Sequence, residues 1–224
     1  MSDAEREGIA RHLLVAARLD APDRVPLDAV ARTLGVDLAP GAPPGCAGTF
    51  EGNPLRIRYN DRGHPAQVAA VLAHELAHLA AEVAGVARPH DEEDIDGIAA
   101  ALRMPRAAVL RAIRTVGWNA ERLGGAFPDV EPSAVFARAA RVAEGVAVFR
   151  AGAGRTIVAD ERLEAPPVRA CERRLVAAVR ATGRPAVDPS GLGAWPFVDP
   201  GDRGGIVVLG PSLAWHLAHL AESA

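Results

Sequence analysis

The stretch Val71-Leu-Ala-His-Glu-Leu-Ala-His-Leu-Ala80 decides how the first half of this 224-residue chain is expected to fold. It places His74, Glu75 and His78 in a run that has the apolar periodicity of an α-helix. The apolar stripe of this helix is predicted to consist of Val68, Leu72, Leu76, Leu79 and Val83. Residues four apart share one face of a helix, roughly 6 Å from each other, so both imidazoles can reach one metal ion. The sequence therefore predicts a metal-binding helix that begins near Pro65 and ends before Gly85.

Two histidines with an adjacent glutamate are the residue types that a zinc hydrolase requires. Imidazole nitrogens bind Zn²⁺, and a neighbouring carboxylate can accept a proton from the metal-bound water that attacks a carbonyl. The competing interpretation is a buried amphipathic helix that happens to carry polar residues, and the helical context favours the metal site over it. We therefore predict that His74 and His78 bind Zn²⁺ and that Glu75 is the catalytic general base.

A catalytic zinc site needs a third protein ligand, and the acidic segment after the metal helix is its natural source. Apolar residues recur at helical spacing in this segment, although acids also favour a helix N-terminus for electrostatic reasons alone. We rank Glu92 first as the third ligand, then Glu93 or Asp94, and His90 last. Asp96, four residues after Glu92, would accept a hydrogen bond from a ligand histidine and fix its ring orientation.

The motif His74-Glu-Leu-Ala-His78, followed by Glu92-x-x-x-Asp96-x-Ile-Ala-Ala-x-Leu-x-Met-Pro105, resembles the ImmA/IrrE-type metallopeptidases. The resemblance covers roughly residues 5–115, and it departs from the family pattern at Ile98, where an aromatic is usual, and at Arg103, where a leucine is usual. It implies a gluzincin-like zinc peptidase that cleaves a DNA-binding repressor in stress responses or mobile-element control. The residue spacing by itself predicts only a metal hydrolase.

Ahead of the metal helix, the sequence predicts two helices, over residues 4–19 and 26–34, and then a β-hairpin with strands at 47–50 and 55–60. The hairpin could flank the active-site cleft and hold an extended peptide by edge pairing. Tyr59, the only tyrosine, could contact the substrate or stabilise an oxyanion there. A half-buried strand tyrosine is the simpler interpretation.

Residues 117–144 are predicted to form two short helices that look like a helix-turn-helix, and radiation-response regulators of the named family carry something similar after the peptidase core. Arg138 and Arg141 are the only basic residues of the second helix, which has no Asn, Gln or Lys to read base edges. A helical pair with a structural role is therefore favoured, and direct DNA binding is the minor alternative.

Beyond Gly145 the pattern changes to strands at 146–150, 156–159 and 205–209, with a helix at 170–182. Residues 185–204 are predicted to be rich in loops. His216 and His219 near the C-terminus are assigned to an ordinary terminal helix, because a second metal site would need further ligands nearby.

Composition places the chain among soluble globular proteins, with 49% hydrophobic residues and a formal net charge of −3. This charge predicts no general attraction to nucleic acid or to anionic lipid. The sequence shows no signal peptide or membrane span, and the widely separated Cys46 and Cys171 are expected to be free thiols. We therefore expect a cytoplasmic protein.

These patterns predict an α+β fold: a mainly helical peptidase core with a small sheet over residues 1–116, a helix-turn-helix-like segment over 117–144, and a small α+β domain over 145–224. The predicted function is that of a zinc-dependent endopeptidase whose protein substrate is a helix-turn-helix repressor. The alternative is a transcription regulator or interaction module with a non-catalytic zinc site. A nonproteolytic amide hydrolase would use the same residues.

Overall fold

The computed structural model describes residues 1–19, 22–43, 46–52, 55–86, 91–151, 154–159, 170–199 and 203–214. His90 and the terminal segment with His216 and His219 lie outside these ranges. Residue contacts divide the chain into two units, Met1–Ala108 and Val109–Ala224. Both contain helices and a sheet, which confirms the predicted α+β class. None of the described helices combines the length and the hydrophobicity needed to cross a bilayer.

The first unit surrounds a three-stranded sheet with helices. In chain order its described elements are α1 (Asp3–Ala16), α2 (Leu27–Thr33), β1 (Asp37–Pro40), β2 (Gly48–Gly52), β3 (Leu55–Tyr59), α3 (Pro65–Val83) and α4 (Glu92–Arg103). The central strand β3 runs parallel to β1 and antiparallel to β2, so the predicted hairpin is confirmed. β1 was not predicted, because four residues that end in proline give no alternating pattern.

Local sequence fixes both ends of α3. His64 caps its N-terminus: the ring Nδ1 accepts a hydrogen bond from the backbone N–H of Ala66, and Gln67 accepts one from the His64 backbone. Pro65 occupies the first helical position, where its missing N–H costs nothing. Gly85, with φ of +67°, follows the C-terminus. The predicted bounds of the metal helix are confirmed.

The core of the first unit forms around α3. Leu72, Leu76 and Leu79 of the predicted apolar stripe are buried, and each such side chain stabilises the fold by about 1.5–3 kcal/mol. α1, α2, α4 and the sheet all pack against this helix. Val83 was expected to continue the stripe, but it is 76% exposed because it lies at the last position of the helix.

A buried ion pair joins α1 to α4. Arg6 donates from Nε and Nη2 to Oδ1 of Asp94, at 3.0 and 2.8 Å. Hydrogen bonds from the Met1 ammonium group and from Arg6 hold the pKa of Asp94 below its usual range. A Cβ atom on Gly97 would lie 2.4 Å from Cδ of Arg6, so this glycine in the middle of a helix makes room for the arginine.

The second unit contains a five-stranded sheet between helices. α5 (Arg106–Val116) spans the boundary between the units. The remaining described elements are α6 (Ala120–Ala126), α7 (Pro132–Val142), β4 (Gly145–Ala151), β5 (Gly154–Ala159), α8 (Ala170–Thr182), β6 (Ala186–Val187), β7 (Gly193–Asp199) and β8 (Arg203–Pro211). The strand order is β5-β4-β8-β7-β6, and every pair is antiparallel. α8 packs on one face of the sheet and α7 on the other, where Phe136 contacts Phe197.

The prediction of a loop-rich segment at 185–204 is wrong where the structure places β6 and β7. Pro196 obscured β7, because proline cannot donate a hydrogen bond to a sheet and is rare inside strands. The neighbouring strand β6 is only two residues long and pairs with Gly193 and Ala194. Pro196 therefore lies beyond the end of β6 and pairs only with Ile206 of β8 among the described strands.

The predicted helical pair is present as α6 and α7, and α7 packs against the sheet of the second unit. Arg138 is only 6% exposed, whereas Arg141 is exposed. Of the two arginines expected on a DNA-reading helix, one therefore faces the protein interior. Direct DNA binding stays a prediction that would depend on Arg141.

A buried carboxylate separates two arginines in the second unit. Arg150 and Arg155 lie directly opposite each other on β4 and β5, an arrangement of like charges that is destabilising alone. Glu172 of α8, which is fully buried, accepts hydrogen bonds from both guanidinium groups, including one from Nε of Arg150 at 2.9 Å and one from Nη2 of Arg155 at 3.0 Å. Removing this carboxylate would leave two adjacent cations with little access to water.

We predict that Glu172→Ala lowers the free energy of unfolding by about 3–5 kcal/mol, which is the usual cost of removing one partner of a buried ion pair. The matched control is Asp28→Ala, which removes an exposed ion pair to Arg32 and should cost less than about 1 kcal/mol. Urea denaturation followed by circular dichroism measures both. Equal losses in the two variants would contradict the prediction.

Candidate metal centre

The two histidines of α3 lie side by side, as their spacing predicts. The Nε2 atoms of His74 and His78 are 3.2 Å apart, and both side chains are half-buried. Their rings meet nearly edge to face, with centroids 4.9 Å apart. Two nitrogens at this separation can point their lone pairs at one shared ion.

α4 adds a carboxylate oxygen to this pair. Oε2 of Glu92 lies 3.3 Å from Nε2 of His74, and one ligand atom from each of His74, His78 and Glu92 lies within 4.8 Å of the others. Zinc binds nitrogen and oxygen at about 2.0–2.2 Å, which puts ligand atoms of a tetrahedral site about 3.3–3.5 Å apart. The donor types and the two separations from Nε2 of His74, 3.2 and 3.3 Å, therefore fit Zn²⁺, and Glu92 is exposed to solvent.

The other acids of α4 point elsewhere. Asp94 is engaged by Arg6 in the ion pair that joins α1 and α4. Glu93 is 89% exposed, and its nearest cation is also Arg6, at 4.0 Å. Because successive helical residues are about 100° apart, Glu92 turns toward α3 while these two acids turn away. Among the described candidates for the third ligand, the cluster contains Glu92.

Asp96 lies one helical turn beyond Glu92 and contacts the other nitrogen of the same histidine. Its Oδ1 is 3.0 Å from Nδ1 of His74. A hydrogen bond there places the ring proton on Nδ1 and leaves Nε2 free to bind a metal. The structure thus has the arrangement expected for a residue that orients a ligand histidine.

Glu75 is buried beside the two histidines, with 8% of its surface exposed. Burial raises the pKa of its carboxyl group, although the two histidines and a hydrogen bond from the Phe50 backbone act in the opposite direction. A carboxylate with a raised pKa binds a proton more readily near neutral pH, as a general base must. Position and environment therefore both suit Glu75 to accept a proton.

A glycine that the sequence did not single out lies against Glu75. A Cβ atom on Gly48 of β2 would be 3.0 Å from Oε1 of Glu75 and 2.4 Å from Cγ1 of Val71. The backbone of β2 therefore approaches α3 at the site more closely than any residue with a side chain would allow. The available signal was a glycine inside a predicted strand, which marks a close approach of backbone to a neighbour.

Tyr59 lies directly across from Gly48 in the hairpin and is half-buried against the core of the first unit. It shares the face of β3 that holds the fully buried Ile57. Its contact with a substrate or an oxyanion stays a prediction.

Known proteins provide two points of comparison. Residues 44–151 match the family described as Peptidase M78, IrrE N-terminal-like domain, and this range includes all the residues of the cluster. A transcriptional regulator of Mycobacterium tuberculosis has a similar structure, with a TM-score of 0.65 and 17% sequence identity. The similarity covers 96% of this chain and 78% of that one, and at this identity it concerns the fold alone. Among curated proteins, none matches the chain in sequence.

The family match coincides with the motif on which the resemblance to ImmA/IrrE-type metallopeptidases was based. Its range starts ahead of β2 and ends at the last residue of β4. Over residues 44–151, this chain is therefore similar to the IrrE N-terminal-like domain of the Peptidase M78 family.

Proposed function

We propose that the protein is a zinc-dependent endopeptidase. The observation that supports this most strongly is the cluster of His74, His78 and Glu92, whose ligand atoms lie within 4.8 Å of one another, with the buried carboxylate of Glu75 beside it. A purely structural zinc site has no use for an acid next to its first ligand, whereas a hydrolase needs one to accept a proton. The similarity of residues 44–151 to a peptidase family agrees with this function.

Each residue of the cluster has a distinct task in the proposed reaction. His74, His78 and Glu92 would hold the ion, and Asp96 would keep the ring of His74 in the binding tautomer. The bound zinc would supply a Lewis acid that polarises the scissile carbonyl and lowers the pKa of water. Glu75 would take the proton from the attacking water and then deliver it to the leaving amine nitrogen.

The proposed substrate is a helix-turn-helix repressor, cleaved during a stress or mobile-element response in the cytoplasm. This substrate follows from the resemblance to ImmA/IrrE-type metallopeptidases, whose members typically cleave such repressors. A repressor encoded beside this protein is accordingly the first substrate to test.

The alternative function is that of a transcription regulator whose zinc site does not catalyse. The name of the structurally similar mycobacterial protein favours it. The burial of Arg138 weighs against α7 as a DNA-reading helix, because a buried arginine cannot reach a base edge. The endopeptidase remains the function that explains why Glu75 lies next to the histidines.

We predict that His78→Ala and Glu92→Ala lose stoichiometric zinc, because two protein ligands do not hold the ion tightly. Glu93→Ala is the matched control for Glu92→Ala, since Glu93 is adjacent on the same helix but does not belong to the cluster. Zinc content after gel filtration and competition with a chromophoric chelator measure the effect. Full zinc occupancy in Glu92→Ala, or equal loss in Glu93→Ala, would show that the third ligand is misassigned.

We predict that Glu75→Gln retains zinc and cleaves at least about 100-fold more slowly than the wild type, since removal of a general base typically costs 10²–10⁴-fold. The purified neighbour-encoded repressor is incubated with zinc-loaded protein, and its fragments are identified by mass spectrometry. Stoichiometric zinc with no cleavage by the wild type would favour the regulator instead. Equal cleavage by Glu75→Gln would remove Glu75 from the mechanism.

The raised pKa of Glu75 also predicts how the stability of the metal-free protein depends on pH. The native state favours the protonated carboxyl group, so the wild type loses stability as pH rises from the unfolded-state pKa through the higher folded-state pKa. Glu75→Gln has no such loss and should gain stability relative to the wild type as pH rises above the unfolded-state pKa of about 4.3. Urea denaturation of both proteins in chelator tests this. A stability difference that does not change with pH would contradict it.

A further inference from the structure

We propose that Gly48 is a positioning residue for Glu75: its missing side chain lets β2 contact α3 and hold the Glu75 carboxylate in place beside the histidines. This inference rests on the proposed function, because it assigns Gly48 a role in the same site. It concerns the alignment of the proton acceptor and leaves the binding of the metal to other residues.

The direction of Gly48 follows from the register of the hairpin. Gly48 lies opposite Tyr59, and Phe50 lies opposite the fully buried Ile57. Because alternate residues of a strand share a face, positions 48 and 50 both face the core and therefore α3. The space that a side chain at position 48 would fill is already occupied by Val71 and by the carboxylate of Glu75.

The two atoms against Gly48 would respond differently to a new side chain. Val71 is β-branched and sits in a helix, where such side chains are restricted to essentially one rotamer, so its Cγ1 has little freedom to move. The Glu75 carboxylate ends a flexible side chain, and its Oε1 would be only 3.0 Å from the added carbon. A methyl group at position 48 therefore displaces the carboxylate, in addition to pressing on Val71.

The backbone of Phe50, two residues after Gly48 on the same strand, also interacts with the carboxyl group of Glu75 and acts to lower its pKa. The residues that would hold the metal are supported separately, since His74 contacts Asp96 and Glu92 of α4. Pushing β2 away from α3 should therefore misalign Glu75 while the three ligands stay together.

The test compares Gly48→Ala with Gly52→Ala. Both glycines belong to β2, but a Cβ atom on Gly52 would have nothing within 4 Å, so this control reports the effect of the backbone change alone. Each protein is loaded with Co²⁺, which gives the site a visible absorption spectrum, and is then titrated with acetohydroxamic acid. This chelator gives up a proton when it binds a metal, and a correctly placed Glu75 carboxylate can accept that proton and so strengthen binding. Glu75→Gln gives the affinity of the site without this carboxylate.

Gly48→Ala should keep its Co²⁺ affinity but bind acetohydroxamate about 3- to 10-fold more weakly, less than the roughly 100-fold that a 1 Å misplacement can cost, because Oε1 of Glu75 must move by only a few tenths of an ångström. Gly52→Ala should behave like the wild type. The double variant Gly48→Ala/Val71→Ala removes the closer contact and should recover part of the lost affinity. If Gly48→Ala does not fold, the double variant decides the question. The inference then requires that the double variant folds and that it binds acetohydroxamate more tightly than Glu75→Gln.

Four results would overturn the inference. Wild-type acetohydroxamate affinity in Gly48→Ala would show that Gly48 does not position Glu75, and the proposed peptidase would stand. Loss of Co²⁺ binding in Gly48→Ala but not in Gly52→Ala would show a general structural role. A double variant that recovers no affinity, or does not fold, would exclude the steric explanation. Failure of the wild type to bind Co²⁺ would remove the proposed function together with the inference.

Discussion

The packing of α4 against α3 is the contact on which the candidate site depends. Two histidines one turn apart need only a helix, but the third ligand must come from another element at the correct height and rotation. The ion pair between Arg6 and Asp94 ties α4 to α1, and Gly97 makes room for the arginine. Since α1 also packs against α3, this pair helps to fix the rotation that turns Glu92 and Asp96 toward His74.

The acidic residues at the start of α4 therefore contact two different helices. Glu92 and Asp96 are four residues apart and share the face that meets α3, whereas Asp94 lies about 200° around the helix from Glu92 and meets α1. All the acids in the first turn also lie where a helix N-terminus favours negative charge. One short segment thus begins a helix, joins the core and supplies a candidate ligand, which explains its unusual density of acids.

Periodicity and capping residues were enough to predict α3 and α4, and to place His74 with His78 and Glu92 with Asp96 on shared helix faces, because those relations follow from residues one helical turn apart. The sequence did not show that His74 is the histidine that Asp96 contacts, since this depends on how α4 packs against α3. The sequence could not show that Gly48 lies against Glu75, since this contact joins a strand to a helix more than twenty residues away. It also missed β7, because Pro196 inside it argues against a strand and only the pairing with β8 shows one. The burial of Arg138 was hidden for a related reason: only the sheet beneath α7 decides which side of that helix faces inward.

The central claim is that α3 and α4 together hold one zinc ion. A crystal structure of the zinc-loaded protein, with an anomalous difference map recorded at the zinc edge, tests it most directly. The account predicts one peak at about 2.0–2.2 Å from a ring nitrogen of His74, a ring nitrogen of His78 and a carboxylate oxygen of Glu92. A peak that lacks Glu92 in its coordination sphere, or zinc bound only elsewhere on the chain, would contradict it.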